Sequence, residues 1–332
     1  MLEHGGRLLQ AAQRHGIPVE AWLDLSTGIS PFAWPVPPIP PSTWMRLPED
    51  EDDLAKAACA YYGAPRLLPV AGSQAAIQAL PWLRDASRVG VIAPGYNEHA
   101  YAWRRAGHQV EELPARALLT HAHRFDVVVL IHPNNPGGER FDRADLLACH
   151  QGLAVRGGWL VMDEAFMDAT PSESLCAASA MDGLIVLRSA GKFFSLAGAR
   201  AGFVAASPAL LDALRERLGP WTLSGPTRHV LTQALTDHAW HAQARERLRA
   251  CSERLASLLA NHGVLPTAGC AFFQWWRDER AHAVHEALAA LGILTRRFDK
   301  PMSLRFGLPG DDASFARLDA ALGRVAREVG LQ

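Results

Sequence analysis

RSAGKFFSLAGARAGF, residues 188–203, sets a serine, a lysine and an arginine at fixed spacing between two apolar runs, LIVLRS and AGFVAAS. Ser189 stands three residues before Lys192, and Arg200 stands eight after it. A lysine amine condenses with an aldehyde, and a hydroxyl and a guanidinium close by can grip a phosphate. The spacing suits an enzyme that holds pyridoxal phosphate as a Schiff base, with Ser189, Lys192 and Arg200 as contacts. Only Arg188 and Arg200 are charged around Lys192. Cationic neighbours and partial desolvation both favour the neutral, nucleophilic amine. A solvated lysine on a loop would have the same local sequence.

Upstream, short apolar runs alternate with helical stretches: LLPVAG, RVGVIAP, VVVLIHP and GWLVMDE. Such alternation predicts an α/β fold, a mostly parallel sheet covered by helices. VLIHPNNPGG (129–138) reads as a buried strand ending in a turn. It brings Asn134 and Asn135 to a strand's carboxyl end, where open α/β sheets bind ligands. GGWLVMDEAFMD (157–168) is a second buried strand, ending in Asp163 and Glu164. PVAGSQAAIQALPWL (69–83) is a strand, a glycine turn and a helix start. Its Gly72, Ser73 and Gln74 offer backbone N–H groups and a hydroxyl to a phosphate. Singly, each has a plainer explanation: a turn, a helix cap, an ordinary N-cap. Their order is the stronger signal: phosphate turn, Asn-Pro turn, strand-end Asp, then Lys.

The chain has 332 residues, enough for one large α/β domain and a smaller one. Hydrophobic residues make up 49%, which supplies a packed core, and the net charge of −1 with no long basic run argues against nucleic acid. PEDEDD (48–53) reads as a solvated helix start. None of the five cysteines lies in a C-x-x-C pair, so neither zinc nor a disulfide framework is suggested. His121 and His123 could hold a metal, but a polar loop is the simpler account. With no leader-like segment and no apolar run of spanning length, a cytoplasmic protein with no membrane insertion is expected. Residues 1–45 read as an N-terminal arm carrying the Pro-rich SPFAWPVPPIPPS, which excludes a regular helix or central strand. Residues 46–212 read as the large domain. Residues 213–332 read as a smaller α+β domain, with LLDALRERL and HAQARERLRACSERLASLLANHG helical and AFFQWW and MSLRFGL strand-like.

On these motifs the chain resembles the fold-type I, class I/II aminotransferase superfamily of pyridoxal-phosphate enzymes, over roughly residues 24–310. Within it, the chain is most similar to the threonine-phosphate decarboxylases of cobalamin biosynthesis. The cues are HGG (4–6), AWLDLSTGISP (21–31), DEAF (163–166), GKFF (191–194) and GPWTLSGP (219–226). The resemblance implies that Lys192 forms the Schiff base and moves protons at the substrate's Cα. Asp163 would pair with the pyridine nitrogen, a contact worth about 4 kcal/mol at roughly 4 Å and an effective dielectric near 20. Asn135 would hydrogen-bond the ring's phenolic oxygen and Tyr96, in APGYNEH, would stack on the ring. Gly72, Ser73, Gln74, Ser189 and Arg200 would hold the phosphate. A homodimer is implied as well.

Two positions depart from the superfamily pattern. Phe166 stands where many aminotransferases have a tyrosine that donates to the phenolic oxygen, which tilts the chain away from transamination. Leu47 stands where relatives carry a tyrosine that reaches the phosphate across a dimer interface.

On the substrate side, Arg305 in SLRFGLP matches the superfamily's carboxylate-binding arginine, whose fork suits a bidentate anion. His4, Gly5 and Gly6 could supply a cation and a backbone nest for a second anion, with Gly28 beside them in the DLSTGISP cue. The resemblance implies decarboxylation of L-threonine O-3-phosphate. A phosphorylated-amine aminotransferase, such as one acting on histidinol phosphate, shares nearly all the motifs. A non-catalytic regulatory module is a third possibility, but no helix-turn-helix or basic patch precedes residue 46.

Overall fold

A computed structural model describes residues 4–331. Its strands are β1 (Leu23–Leu25), β2 (Leu68–Val70), β3 (Arg88–Ile92), β4 (Gln109–Leu113), β5 (Val127–Ile131), β6 (Trp159–Asp163), β7 (Leu184–Ser189), β8 (Gly202–Ala205), β9 (Ala268–Cys270), β10 (Phe273–Arg277), β11 (Ile293–Asp299) and β12 (Met302–Gly307). The chain separates into two compact units. One holds residues 33–135 and 139–243, the other 1–32, 136–138 and 244–332.

The larger unit is built on a seven-stranded sheet of order β2-β8-β7-β6-β5-β3-β4. Strands β3 to β7 pair in parallel, and β8 runs antiparallel to both its neighbours. This is the largely parallel sheet that the alternating pattern predicts. The reason is compositional. VVVLI of β5 is buried at every position, and β7 likewise, as expected of strands covered on both faces. Val127, Val129, Val161, Ile185, Leu187 and Val204 pack with Ile77, Leu80 and Trp103 in one core. The parallel strands point their carboxyl ends the same way. Asp163 stands at one of those ends, and others lead into the turn that carries Asn135 and the short helix Ala190–Phe193 that carries Lys192.

The smaller unit is a five-stranded sheet of order β1-β11-β12-β10-β9. Helix Ala281–Ala290 packs on β11 and β12, and helix Asp312–Val329 packs on that helix. AFFQWW and MSLRFGL become β10 and β12, paired antiparallel with Trp275 opposite Arg305. The expected boundaries at 46 and 213 differ from this division. Residues 1–32 do not form a free arm, because Leu23–Leu25 pairs in parallel with Ile293–Thr295. From Ala33 onward the Pro-rich segment groups with the larger unit, where Trp34 N donates to Phe194 O at 3.0 Å.

Candidate active site

The phosphate turn comes first in the chain. Gly72 has φ +76°, a conformation that costs glycine little and other residues much. A Cβ built on it would lie 2.9 Å from Arg200 Nη2. The φ is what favours glycine, and the contact places the Arg200 guanidinium over the turn. Arg200 itself sits at φ +51°, an uncommon conformation for a residue with a side chain. Helix Ser73–Ala79 starts here, and its first N–H groups have no intrahelical partners. Gly202 lies against the turn from β8, since its Cβ would be 2.5 Å from Ser73 N. Gly202 pairs in register with Ser189. Gly72, Ser73, Ser189 and Arg200 are thus gathered around one spot.

Asp163 is buried at the end of β6. Its Oδ2 lies 2.8 Å from His99 Nε2, and Oδ1 accepts from Ala165 N at 3.1 Å. Sequence reasoning missed His99, although it stands three residues after Tyr96 in the quoted APGYNEH. Tyr96 Oη donates to Gln74 Oε1 at 3.1 Å, and Gln74 Nε2 donates to Glu98 Oε2 at 2.8 Å. Gln74 therefore anchors Tyr96 as well as belonging to the phosphate turn. Burial first, then the Glu98 and Asp163 carboxylates, push the Tyr96 hydroxyl up to about 12, with Arg200 pulling the other way. It stays a donor at neutral pH.

Lys192 is half-buried, with Nζ 5.8 Å from the centroid of the Phe166 ring. The residues after it, Phe193 and Phe194, are fully buried. Both rings pack on Trp240, and Phe194 also meets Tyr61 and His241. This aromatic cluster anchors the lysine loop. The two asparagines divide their work. Asn134 is fully buried and donates to Pro94 O at 2.9 Å and Glu139 Oε2 at 2.7 Å, holding the loop together. Asn135, next to it, is only half-buried.

Two sequence-based expectations are corrected. Arg188 is not a bare cation beside Lys192, because its guanidinium is buried and ion-paired to Glu164 and Asp168. PEDEDD is not merely a solvated helix start. Asp52 caps helix Asp53–Tyr62 by accepting from Leu54 N at 3.1 Å, and both its oxygens accept from the buried Arg228 at 2.6 Å. Leu47 is exposed, and Phe166 is buried with no hydrogen to donate. His121 and His123 stand 6.4 Å apart between ring centroids, and no metal-binding group of three or more His, Cys, Asp or Glu occurs among the described residues.

The smaller unit gathers the substrate candidates. Arg305 is buried and donates to Ser26 O at 2.8 Å. Gly5 packs on the same carbonyl, where a Cβ would come within 2.2 Å, and Gly6 N donates to Ser26 Oγ at 2.8 Å. His4, Gly5 and Gly6 also line one hollow with Arg296 and Arg297. Gly28 is buried two residues beyond Ser26. Burial chiefly, then Arg296, pulls the Arg305 guanidinium down to about 10, still cationic at neutral pH.

A family model described as aminotransferase class I and II matches residues 46–322. The chain belongs to the class I and II aminotransferase family. This family member is 57% identical to the threonine-phosphate decarboxylase of Pseudomonas aeruginosa over 322 residues, 97% of each protein. It is 40% identical to the threonine-phosphate decarboxylase of a Sinorhizobium species over 332 residues, 97% of this chain and 98% of that protein. Its fold matches the crystal structure of histidinol-phosphate aminotransferase from Sinorhizobium meliloti in complex with pyridoxal-5'-phosphate. That match has a TM-score of 0.81 and covers 99% of each chain at 20% identity. No helix among the described residues is long and apolar enough to cross a membrane.

The residues present fit pyridoxal phosphate. A glycine cradle with Ser73, Ser189 and Arg200 suits a dianion, the buried Asp163 suits a ring N–H, and Lys192 offers an amine between aromatic side chains.

Proposed function

We propose that the protein is a pyridoxal-phosphate-dependent decarboxylase of L-threonine O-3-phosphate. Its products would be CO₂ and (R)-1-amino-2-propanol O-2-phosphate, a precursor of the cobalamin side chain. The observation that carries this is 57% identity to a threonine-phosphate decarboxylase along nearly the whole of both chains. Phe166 supports it, since the chain lacks the hydroxyl that many transaminases place at this position.

Bound pyridoxal phosphate supplies an aldehyde for the substrate's amine and a ring that draws electrons from the breaking bond. Ser73, Ser189, Arg200 and the backbone N–H groups of the Gly72 turn are proposed to hold its phosphate. Asp163, oriented by His99, keeps a proton on the ring nitrogen. Tyr96 covers one ring face, fixed by Gln74. Asn135 donates to the phenolic oxygen. Lys192 would hold the cofactor through its aldehyde, and its amine is the proposed acid that would deliver a proton to Cα in place of the CO₂ that leaves. Arg305 and the His4–Gly6 segment are proposed as anion anchors for the substrate, with Gly28 as a further contact. Arg305 is supported by its place in SLRFGLP, which matches the superfamily's carboxylate-binding arginine. A homodimer is part of this proposal. Exposed apolar side chains at Trp44, Met45 and Leu47 support it.

The test is incubation with threonine phosphate, measuring CO₂ against keto-acid formation. Stoichiometric CO₂ with no keto acid is expected. Faster conversion of histidinol phosphate with a keto acid would make it an aminotransferase instead. Lys192→Ala should abolish both turnover and the visible absorption band of the purified protein.

A further inference from the structure

Behind the strand ends that carry Asp163 and Ser189 lies a cluster of charges almost sealed from water. Glu164 and Asp168 are 0% exposed and Arg188 is 2% exposed. Arg188 divides its fork. Nη1 donates to Glu164 Oε2 at 2.8 Å, and Nη2 lies 3.2 Å from Asp168 Oδ2. Glu164 also accepts from Ser174 Oγ at 2.5 Å and from Leu175 N at 2.8 Å. Asp168 accepts from Tyr61 Oη at 2.9 Å. Burial pushes the Glu164 carboxyl up, while Arg188 and the Leu175 N–H, Ser174 hydroxyl and Arg188 hydrogen bonds it accepts pull it down.

A cluster of this kind is a poor source of stability, because desolvating the ions offsets most of their attraction. Its place in the sheet suggests another use. β6 and β7 are parallel neighbours, with Asp163 paired to Leu187 and Glu164 N donating to Leu187 O at 2.9 Å. Side chains alternate across a sheet, so Asp163 and Ser189 take one face while Glu164 and Arg188 take the other. Glu164 directly follows Asp163, and Arg188 directly precedes Ser189. The ion pair therefore ties the two strands together at the step where each delivers a cofactor contact. Tyr61 extends the tie toward the lysine loop, its ring 5.6 Å from that of Phe194.

We propose that Glu164, Arg188 and Asp168 are positioning residues. They set the spacing between Asp163 and Ser189, the groups assigned to the two ends of one pyridoxal phosphate. This rests on the assignment of the site to that cofactor. A ligand gripped at both ends needs the grips at the right separation, whereas one gripped at a single end does not. Pyridoxal, which lacks the phosphate, is the control.

The experiment measures dissociation constants of pyridoxal phosphate and of pyridoxal for the apoprotein, from the absorbance change on binding, alongside the apoprotein's Tm. Glu164→Leu cuts the strand tie but leaves Arg188 paired with Asp168. It should weaken pyridoxal phosphate about tenfold or more, as for a lost charge-assisted bond, and pyridoxal by less than about twofold. Glu164→Gln keeps the shape and one acceptor, and should restore most of the discrimination. If Glu164→Leu does not fold, Tyr61→Phe decides on the same ratio, with a loss of about threefold expected for one neutral donor. Equal weakening of both ligands, or a lowered Tm with an unchanged ratio, overturns the positioning role and leaves the cofactor assignment standing. A wild type that takes up no pyridoxal phosphate overturns both.

Discussion

His99 shows how a single residue can matter and still be hard to find. It is 1% exposed and lies 2.8 Å from Asp163, yet the two are 64 positions apart in the chain. Nothing local to APGYNEH says which carboxylate it meets. The available signal was a histidine three residues after an aromatic at a strand end, on the helix Glu98–Arg105. Asn134 and Asn135 were similarly indistinguishable, because the choice between loop brace and ligand contact depends on Glu139 and Pro94 folding back. Lys192, Asp163, Ser189, Arg200 and Gly72 could be proposed from the sequence because the chemistry expected of them is bound to short spacings or strand ends. Replacing His99 by Phe should leave Asp163 buried with Ala165 N as its remaining named donor. A hydrogen bond to a charged group is worth about 1.5–3 kcal/mol, so kcat/KM for threonine phosphate should fall roughly ten- to a hundredfold. The pH midpoint of the visible band should move as well. Wild-type kcat/KM and an unmoved midpoint in His99→Phe would remove His99 from the site.

At the scale of elements, the largely buried strands were the readable ones. β3, β5, β6, β7 and β8 are each centred on a short apolar run bounded by turns. β4 was not read, because QVEEL lies at the sheet's edge and carries two glutamates, as edge strands do. β1 was hidden for a different reason. Three residues pair with a strand some 270 positions later, and no local pattern encodes that partner. The acidic run at 48–53 held more than its composition suggested. Arg228 is 3% exposed, and Asp52 holds it with both oxygens while also capping a helix. Losing the cap alone costs about 1 kcal/mol. Leaving a buried charge unpaired costs about 3–5 kcal/mol, though Asp50, 3.2 Å from Nη1, retains part of the compensation. Asp52→Ala should therefore lower stability clearly more than Asp52→Asn, whose side chain still caps. Urea unfolding of wild type and both variants measures this: equal midpoints for the two variants would mean that the cap contributes nothing, and a wild-type midpoint for Asp52→Asn would mean that the charge on Asp52 contributes nothing.

For the whole molecule, the unanswered surface is in the larger unit. The short helix Ser42–Met45 buries none of its residues. Trp44 is 67% exposed and Met45 83%, and Leu47 just beyond it is 65% exposed. The same stretch lies against helix Gly225–Thr236, where a Cβ on Gly225 would be 2.2 Å from Thr43 O. Trp221, four residues before that glycine, is 57% exposed. A rigid, proline-framed segment held in place with its largest side chains outward is suited to another protein surface rather than to water. A second copy of the chain is the expected occupant. Covering a Trp or Met is worth about 1.5–3 kcal/mol each, and two or three such anchors are enough to hold an interface of about 1,600 Å². Sedimentation across a range of concentrations should find the wild type dimeric. Trp44→Glu with Met45→Glu should shift it to monomer while the apoprotein's Tm measured at low concentration stays close to wild type, since neither side chain supports the fold of its own subunit. A fully active wild-type monomer, or a double variant that remains dimeric, would place the covering partner elsewhere.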